Sequence, residues 1–132
     1  MSGETDLTIL IRSMTPKLLE QEYVFCTTEM SLAQAAEMSP LATFQEDEGL
    51  TLVLESSYSD VENLTCSGLF KCITLSVHSS LEAVGLTAAF ARALAQQGIS
   101  ANVIAGFYHD HIFVPKADAD RAMAALVAMT QE

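Results

Sequence analysis

The spacing of apolar residues after position 70 constrains the fold of this chain more than any other feature of its sequence. Across residues 70–77 apolar and polar side chains alternate, so that Ile73 and Leu75 share one face, as in a strand buried on one side. The spacing then becomes helical across residues 81–97, and Gly98 follows where a glycine commonly ends a helix. The sequence therefore predicts a strand and a helix joined by a short polar loop.

Two further strands and a second helix follow this pair. We expect strands at residues 101–108 and 111–115, a turn at His109 and Asp110, and a final helix that begins at Asp118 or Asp120 and extends through Met129. The order strand, helix, strand, strand, helix predicts an α+β unit, with helices on one face of a sheet that contains antiparallel strands.

The predicted helix at 81–97 is apolar around most of its circumference. Its polar or neutral positions form one narrow stripe, which contains Glu82, Gly85, Ala89, Arg92 and Gln96. A helix that lies on a sheet needs only one apolar face, so the remaining apolar surface requires a second helix or a second subunit. We therefore expect a homodimer.

The first half of the chain predicts shorter elements. These are a strand at 23–27, a hairpin formed by 41–45 and 50–55, and short helices at 31–38 and 57–64. The pattern of a strand followed by a short helix recurs at an offset of about 61 residues, which indicates a weak internal repeat. We therefore divide the chain into an N-terminal degenerate module, 1–66, and a C-terminal module, 67–132.

Charge excludes two classes of partner. The chain has 17 acidic and 6 basic residues, a formal net charge of −11, so it lacks the basic face with which proteins bind nucleic acid. Anionic membrane surfaces would repel the same charge. No apolar run approaches the roughly 20 residues that span a bilayer, and the acidic N-terminal segment is unlike a signal peptide. We therefore expect a cytoplasmic protein that binds neither nucleic acid nor membrane.

The three cysteines, Cys26, Cys66 and Cys72, are odd in number and lack the paired spacing of metal ligands. In a reducing cytoplasm such cysteines are usually free thiols. We therefore expect neither a disulfide nor a structural metal.

The second half of the chain resembles the ACT domain family. Two stretches carry the resemblance: residues 77–86, which read Val-His-Ser-Ser-Leu-Glu-Ala-Val-Gly-Leu, and residues 94–103 together with 108–114. The chain is similar to small bacterial tandem ACT-like proteins of unknown function and, more distantly, to tandem ACT arginine sensors and aspartate kinase regulatory domains. The resemblance implies two ferredoxin-like ACT modules of the βαββα type.

ACT domains bind amino acids or similar metabolites at module interfaces, usually as dimers. The resemblance thus implies a regulatory sensor that binds such a metabolite and is not an enzyme. It places the ligand against Ser79, Ser80, Val84, Gly85 and Leu86, and against Tyr108, His109, Asp110 and His111. The family's acidic-Pro-Gly loop is altered here, with His78 at the acidic position and Gly85 at the glycine.

The loop at 79–86 also has a physical argument for ligand binding. Free N–H groups at a helix start attract a carboxylate, and Gly85 allows a close approach to the backbone. The structural alternative is that Ser79 or Ser80 caps the helix, while Gly85 only eases packing.

His109, Asp110 and His111 form the other candidate cluster. In an extended segment His109 and His111 point to the same face, where they could hold a cation, hydrogen-bond a ligand or simply supply a polar turn. Zinc requires three or four ligands, and no other His or Cys has a suitable spacing, so we expect no metal and no cofactor. Two other functions stay open: an interaction module that dimerises or docks an enzyme, and a small enzyme that uses these three residues.

Overall fold

The computed structural model describes residues 6–58, 61–76 and 84–131 and divides into two compact units. One, which we call the terminal unit, comprises Met1–Leu19 and Lys71–Glu132. The other, the inserted unit, comprises Glu20–Phe70. The sequence-based division into 1–66 and 67–132 assigned Met1–Leu19 to the N-terminal module. In the structure this segment groups with the C-terminal half in one compact unit.

The described residues contain four α-helices and seven strands. The helices are α1 (Leu7–Ser13), α2 (Leu32–Ala35), α3 (Leu86–Gln96) and α4 (Ala119–Met129). The strands are β1 (Thr15–Thr28), β2 (Ala42–Glu46), β3 (Gly49–Glu55), β4 (Thr65–Cys66), β5 (Phe70–Ser76), β6 (Asn102–Ala105) and β7 (Asp110–Pro115). Single 3-10 turns occur at Ala36–Met38, Val61–Asn63 and Lys116–Asp118.

The C-terminal part of the terminal unit has the predicted order β5, α3, β6, β7, α4. Its strands lie in the order β5-β7-β6, and β6 pairs antiparallel with β7. Ile73 and Leu75 of β5 and Ile112 and Val114 of β7 are buried in one core with residues of the helices. This two-residue spacing turns one face of the strands toward the helices, which confirms the α+β class.

Helix α3 begins later than the sequence pattern predicted. Among the described residues Val84 and Gly85 precede the helix, and Gly85 has a φ of 98°, a left-handed backbone that an α-helix cannot contain. The helix buries Leu86, Phe90 and Leu94, which are spaced four residues apart, within this one chain. The large apolar side chains of α3 therefore do not require a second subunit to cover them. The homodimer stays a prediction, but the apolar circumference of this helix no longer supports it.

Helix α1 covers part of the surface that was expected to need a partner. The Asp6 side chain caps this helix by accepting a hydrogen bond from the Ile9 N–H at 3.2 Å. Leu10 and Met14 lie in the same buried core as Phe90 and Leu94. The helical cover that α3 requires is thus supplied within this chain, by α4 and by α1.

The inserted unit is a smaller antiparallel sheet in the order β2-β3-β1, with β4 also paired to β1. The predicted hairpin is present as β2 and β3, and the strand predicted at 23–27 extends over Thr15–Thr28. Within the described residues, the helix predicted at 57–64 is reduced to the 3-10 turn Val61–Asn63. The core of this unit contains Val24, Ala35 and Leu52.

The expectation of three free thiols is wrong for two of the cysteines. Cys26 on β1 and Cys66 on β4 form a disulfide. They are directly opposite in the antiparallel register, and their Cα atoms are 4.1 Å apart, so strand pairing itself brings the two sulfur atoms together. Cys72 is free and buried, and burial raises the pKa of its thiol to about 11.

The disulfide gives a stability prediction. It joins residues 40 positions apart, and in the chain-entropy account a loop of this length stabilises the folded state by about 4 kcal/mol. We expect reductant to lower the melting temperature of the wild type, and to leave that of Cys26→Ala/Cys66→Ala unchanged. Thiol titration of protein unfolded without reductant should find only Cys72. Three reactive thiols in that titration would contradict the bond.

Candidate functional site

The backbone at the head of α3 is shaped by Gly85. This residue occupies the N-cap with a left-handed conformation, and it has no side chain with which to cap the first turn. A Cβ added to Gly85 would lie 3.2 Å from Cδ2 of Leu7, the flexible end of a side chain on α1. Val84, immediately before it, is 84% exposed, whereas Leu86 is buried. Among the described side chains none therefore caps the first-turn N–H groups, and an exposed apolar residue lies beside them.

The second group of predicted site residues lies on the hairpin between β6 and β7. The turn consists of Phe107 and Tyr108, not of His109 and Asp110 as predicted, because the Gly106 N–H donates to the His109 carbonyl at 2.9 Å and closes the hairpin there. The rings of Phe107 and Tyr108 pack edge to face, with centroids 5.0 Å apart, and both side chains are exposed. The hairpin tip therefore presents two aromatic rings.

His111 has a different environment from His109. The Nδ1 atom of His111 forms a hydrogen bond with Oγ1 of Thr74 on β5 at 3.0 Å, and its Nε2 atom lies 3.3 Å from where a Cβ on Gly106 would be. Partial burial, with a smaller effect from His109, lowers the pKa of His111. Burial likewise raises the pKa of Asp110, although both histidines oppose that shift. Burial therefore disfavours the charged form of both Asp110 and His111.

The structure brings the predicted residues together in two groups. Val84, Gly85 and Leu86 lie at the head of α3, and Tyr108, His109, Asp110 and His111 lie on the hairpin. Ser79 and Ser80, with His78, fall outside the described residues. Within the described ranges no set of three or more His, Cys, Asp or Glu side chains is arranged to hold a metal ion.

A cleft that sequence reasoning missed lies between α1, α3 and α4. Its volume is about 310 Å³. The lining residues are Thr8, Ile11, Arg12, Ala89, Arg92, Ala93, Gln96 and Met129. A signal for its α1 wall was present in the sequence, because Asp6 precedes apolar residues with helical spacing at Leu7, Leu10, Ile11 and Met14.

Two family models described as ACT domains match the chain in tandem, one over residues 2–71 and the other over residues 70–128. No curated protein matches it significantly. Within the described residues no helix is long and apolar enough to cross a bilayer.

Solved structures of similar proteins extend this result. A Vibrio cholerae protein of unknown function, described as a possible transport protein, is 55% identical, with a TM-score of 0.87 over 95% of this chain and 96% of that one. An Agrobacterium tumefaciens protein is 18% identical, with a TM-score of 0.74 over 89% of each chain. The regulatory subunit of Thermus thermophilus aspartate kinase is 8% identical, with a TM-score of 0.61 over 86% of this chain and 95% of that one. The last two likenesses concern the fold alone.

The environment of His111 predicts a pH dependence. The unfolded chain binds a proton at His111 near pH 6.5, whereas partial burial lowers its pKa in the folded state. As pH falls through this window, the unfolded state binds more protons, so the free energy of unfolding decreases. We expect the melting temperature to fall between about pH 7.5 and about pH 5.5, and His111→Asn to remove part of that slope. His109→Asn, at an exposed position, should retain it. An unchanged slope in His111→Asn would contradict the assignment.

Proposed function

Because this chain belongs to the ACT-domain family, whose members are regulatory domains, we propose that it binds an amino acid or a related small metabolite as a sensor and catalyses no reaction. The observation that carries this proposal is the left-handed backbone of Gly85 at the N-cap of α3, within the second ACT match. Aspartate kinase regulatory domains of the same fold are consistent with a regulatory role.

In this proposal the ligand carboxylate lies against the first turn of α3. The N–H groups there have no intrahelical acceptors, and the helix dipole favours negative charge at this end. The Leu7 side chain covers Gly85 on the side where a Cβ would lie, so the ligand would approach the N–H groups from another direction, where exposed Val84 offers apolar contact. Ser79 and Ser80 remain part of the proposed site.

The hairpin residues would contact the remaining polar groups of the ligand. Asp110 and His111 are half-buried, so hydrogen bonds to them would be less exposed to competing water than bonds to a fully solvated turn. Tyr108 and His109 are exposed beside them and would supply the outer contacts.

We expect a saturating ligand to raise the melting temperature by several degrees, because a ligand at one hundred times its dissociation constant stabilises the folded state by about 2.7 kcal/mol. A thermal-shift screen against the amino acids and common metabolites measures this directly. Gly85→Asp should abolish the shift, since it adds a negative charge beside the N–H groups that would hold the ligand carboxylate and displaces Leu7, which lies 3.2 Å from the new Cβ. Gly85→Ala separates the effect of bulk from that of charge.

Gly98→Asp is the matched control for this experiment. It introduces the same charge at another left-handed glycine, with a φ of 72°, just after the opposite end of α3, where a Cβ meets no heavy atom within 4 Å. Each variant is compared with its own unliganded melting temperature, and the control should retain the ligand-induced shift. If no amino acid or metabolite stabilises the wild type, sensing loses its support and the interaction module becomes the better function.

A homodimer belongs to the same proposal, and the exposed hairpin tip supports it. Phe107 is 75% and Tyr108 76% exposed, an unusual exposure for adjacent aromatic rings. We propose that these rings contact a second copy of the chain, whether the protein is a sensor or only an interaction module.

Sedimentation at micromolar concentration should give about twice the chain mass of 14.2 kDa. Phe107→Ser/Tyr108→Ser should shift the equilibrium toward monomer. Phe44→Ser is the control, because it removes another exposed ring, 71% accessible, from strand β2 of the inserted unit. A monomeric wild type would exclude the dimer.

The remaining finer proposals concern chemistry and location. We propose that His109, Asp110 and His111 bind the ligand and do not catalyse a reaction. Turnover by the wild type that is lost in His109→Ala would instead support the enzyme hypothesis. We also propose that the chain has no nucleic-acid or membrane partner, which the net charge of −11 supports. The proposed location is cytoplasmic, although a disulfide such as Cys26–Cys66 is uncommon in that reducing environment.

A further inference from the structure

The two arginines that line the cleft between α1, α3 and α4 have no protein partner within the described part of the chain. Neither Arg12 nor Arg92 forms a side-chain hydrogen bond or an ion pair there. Arg121, by contrast, contacts Asp118 at 3.0 Å and the Gln97 carbonyl. The chain has 17 acidic residues, yet two of its three arginines lie at one cleft where no described carboxylate pairs with them, and this placement requires an explanation.

Two polar or charged residues on each of two helices, α1 and α3, line the cleft. Thr8 and Arg12 are four residues apart on α1, and Arg92 and Gln96 are four residues apart on α3, so each pair lies on one helix face. Ala93 of α3 and Met129 of α4 supply apolar surface between them. The small alanine side chain leaves room between the helices, and the resulting volume is about 310 Å³.

We propose that this cleft binds a small organic anion, with its carboxylate or phosphate group held by Arg12 and Arg92. A guanidinium donates two parallel hydrogen bonds to either group. The Thr8 hydroxyl and the Gln96 amide add uncharged hydrogen-bonding groups, while Ala93 and Met129 contact the carbon skeleton. The volume is near the lower limit for small-molecule pockets, which selects a ligand of metabolite size.

This site is distinct from the one proposed at the head of α3. Arg92 follows Gly85 by two helical turns, which separates the two by about 10 Å along the helix axis. The cleft would hold its anion with arginine side chains, whereas the site at the head of α3 would use backbone N–H groups. Substitution of an arginine therefore removes the cleft's donors without changing the helix terminus, so the two sites are tested separately.

Calorimetric titration and thermal shift of the full chain test the proposal, with small dicarboxylates and sugar phosphates as two separate sets of probes. We expect binding by at least one set, and at least tenfold weaker binding in Arg12→Gln and in Arg92→Gln, because each removes a charge-assisted hydrogen bond. Both side chains are exposed, so neither substitution changes the core. Lys17→Gln removes the same charge from β1, away from the cleft, and should change affinity less than twofold.

Two further measurements decide the interpretation. Arg12→Gln and Arg92→Gln should retain the amino-acid-induced shift proposed for the head of α3, so loss of the proposed amino-acid site and loss of this site are distinguishable. Sodium chloride at matched ionic strength should stabilise the protein less than the organic anion does. Equal stabilisation by this salt would show simple screening of the acidic chain and overturn the proposal. The absence of binding by either probe set, or unchanged affinity in both arginine variants, would also overturn it.

Discussion

The packing of α1 onto the helices of the terminal unit is the contact on which the rest of that unit depends. Leu10 is fully buried, and its replacement by alanine would cost about 2–5 kcal/mol, a large share of the stability of an ordinary domain. The same contact places Leu7 beside Gly85 and makes Arg12 a wall of the cleft that α3 also lines. Both proposed binding sites therefore depend on the apolar face of one seven-residue helix.

Much of the fold could be predicted from the periodicity of apolar residues, and the errors of that prediction have physical causes. The alternation around Ile73 and Leu75 identified β5, because the strand faces the helices on one side. The start of α3 could not be predicted in the same way: Gly85 fits a helical spacing, but its backbone is left-handed, and spacing contains no information on the sign of φ. Helix α1 has a cap and apolar spacing, yet its stability comes from packing against distant residues.

Less of the candidate site could be predicted. The family resemblance identified Gly85 and the hairpin residues as candidates, but the hydrogen bond between His111 and Thr74 depends on strand placement in the folded unit. The cleft joins Arg12 to Arg92, which are far apart in the sequence. The disulfide was mispredicted for a similar reason, because counting cysteines does not give the register that places Cys26 opposite Cys66.

The placement of residues 20–70 between the two segments of the terminal unit sets an order of events during synthesis. When the ribosome has released the chain as far as Phe70, the inserted unit has all of its strands. Leu10 and Met14, however, still lack Phe90 and Leu126, with which they share a core. At roughly 5–20 residues per second, the α1 segment waits for several seconds with its apolar side chains uncovered. Nascent chains of this protein therefore expose the apolar residues of α1 to chaperones and to aggregation until α3 and α4 emerge.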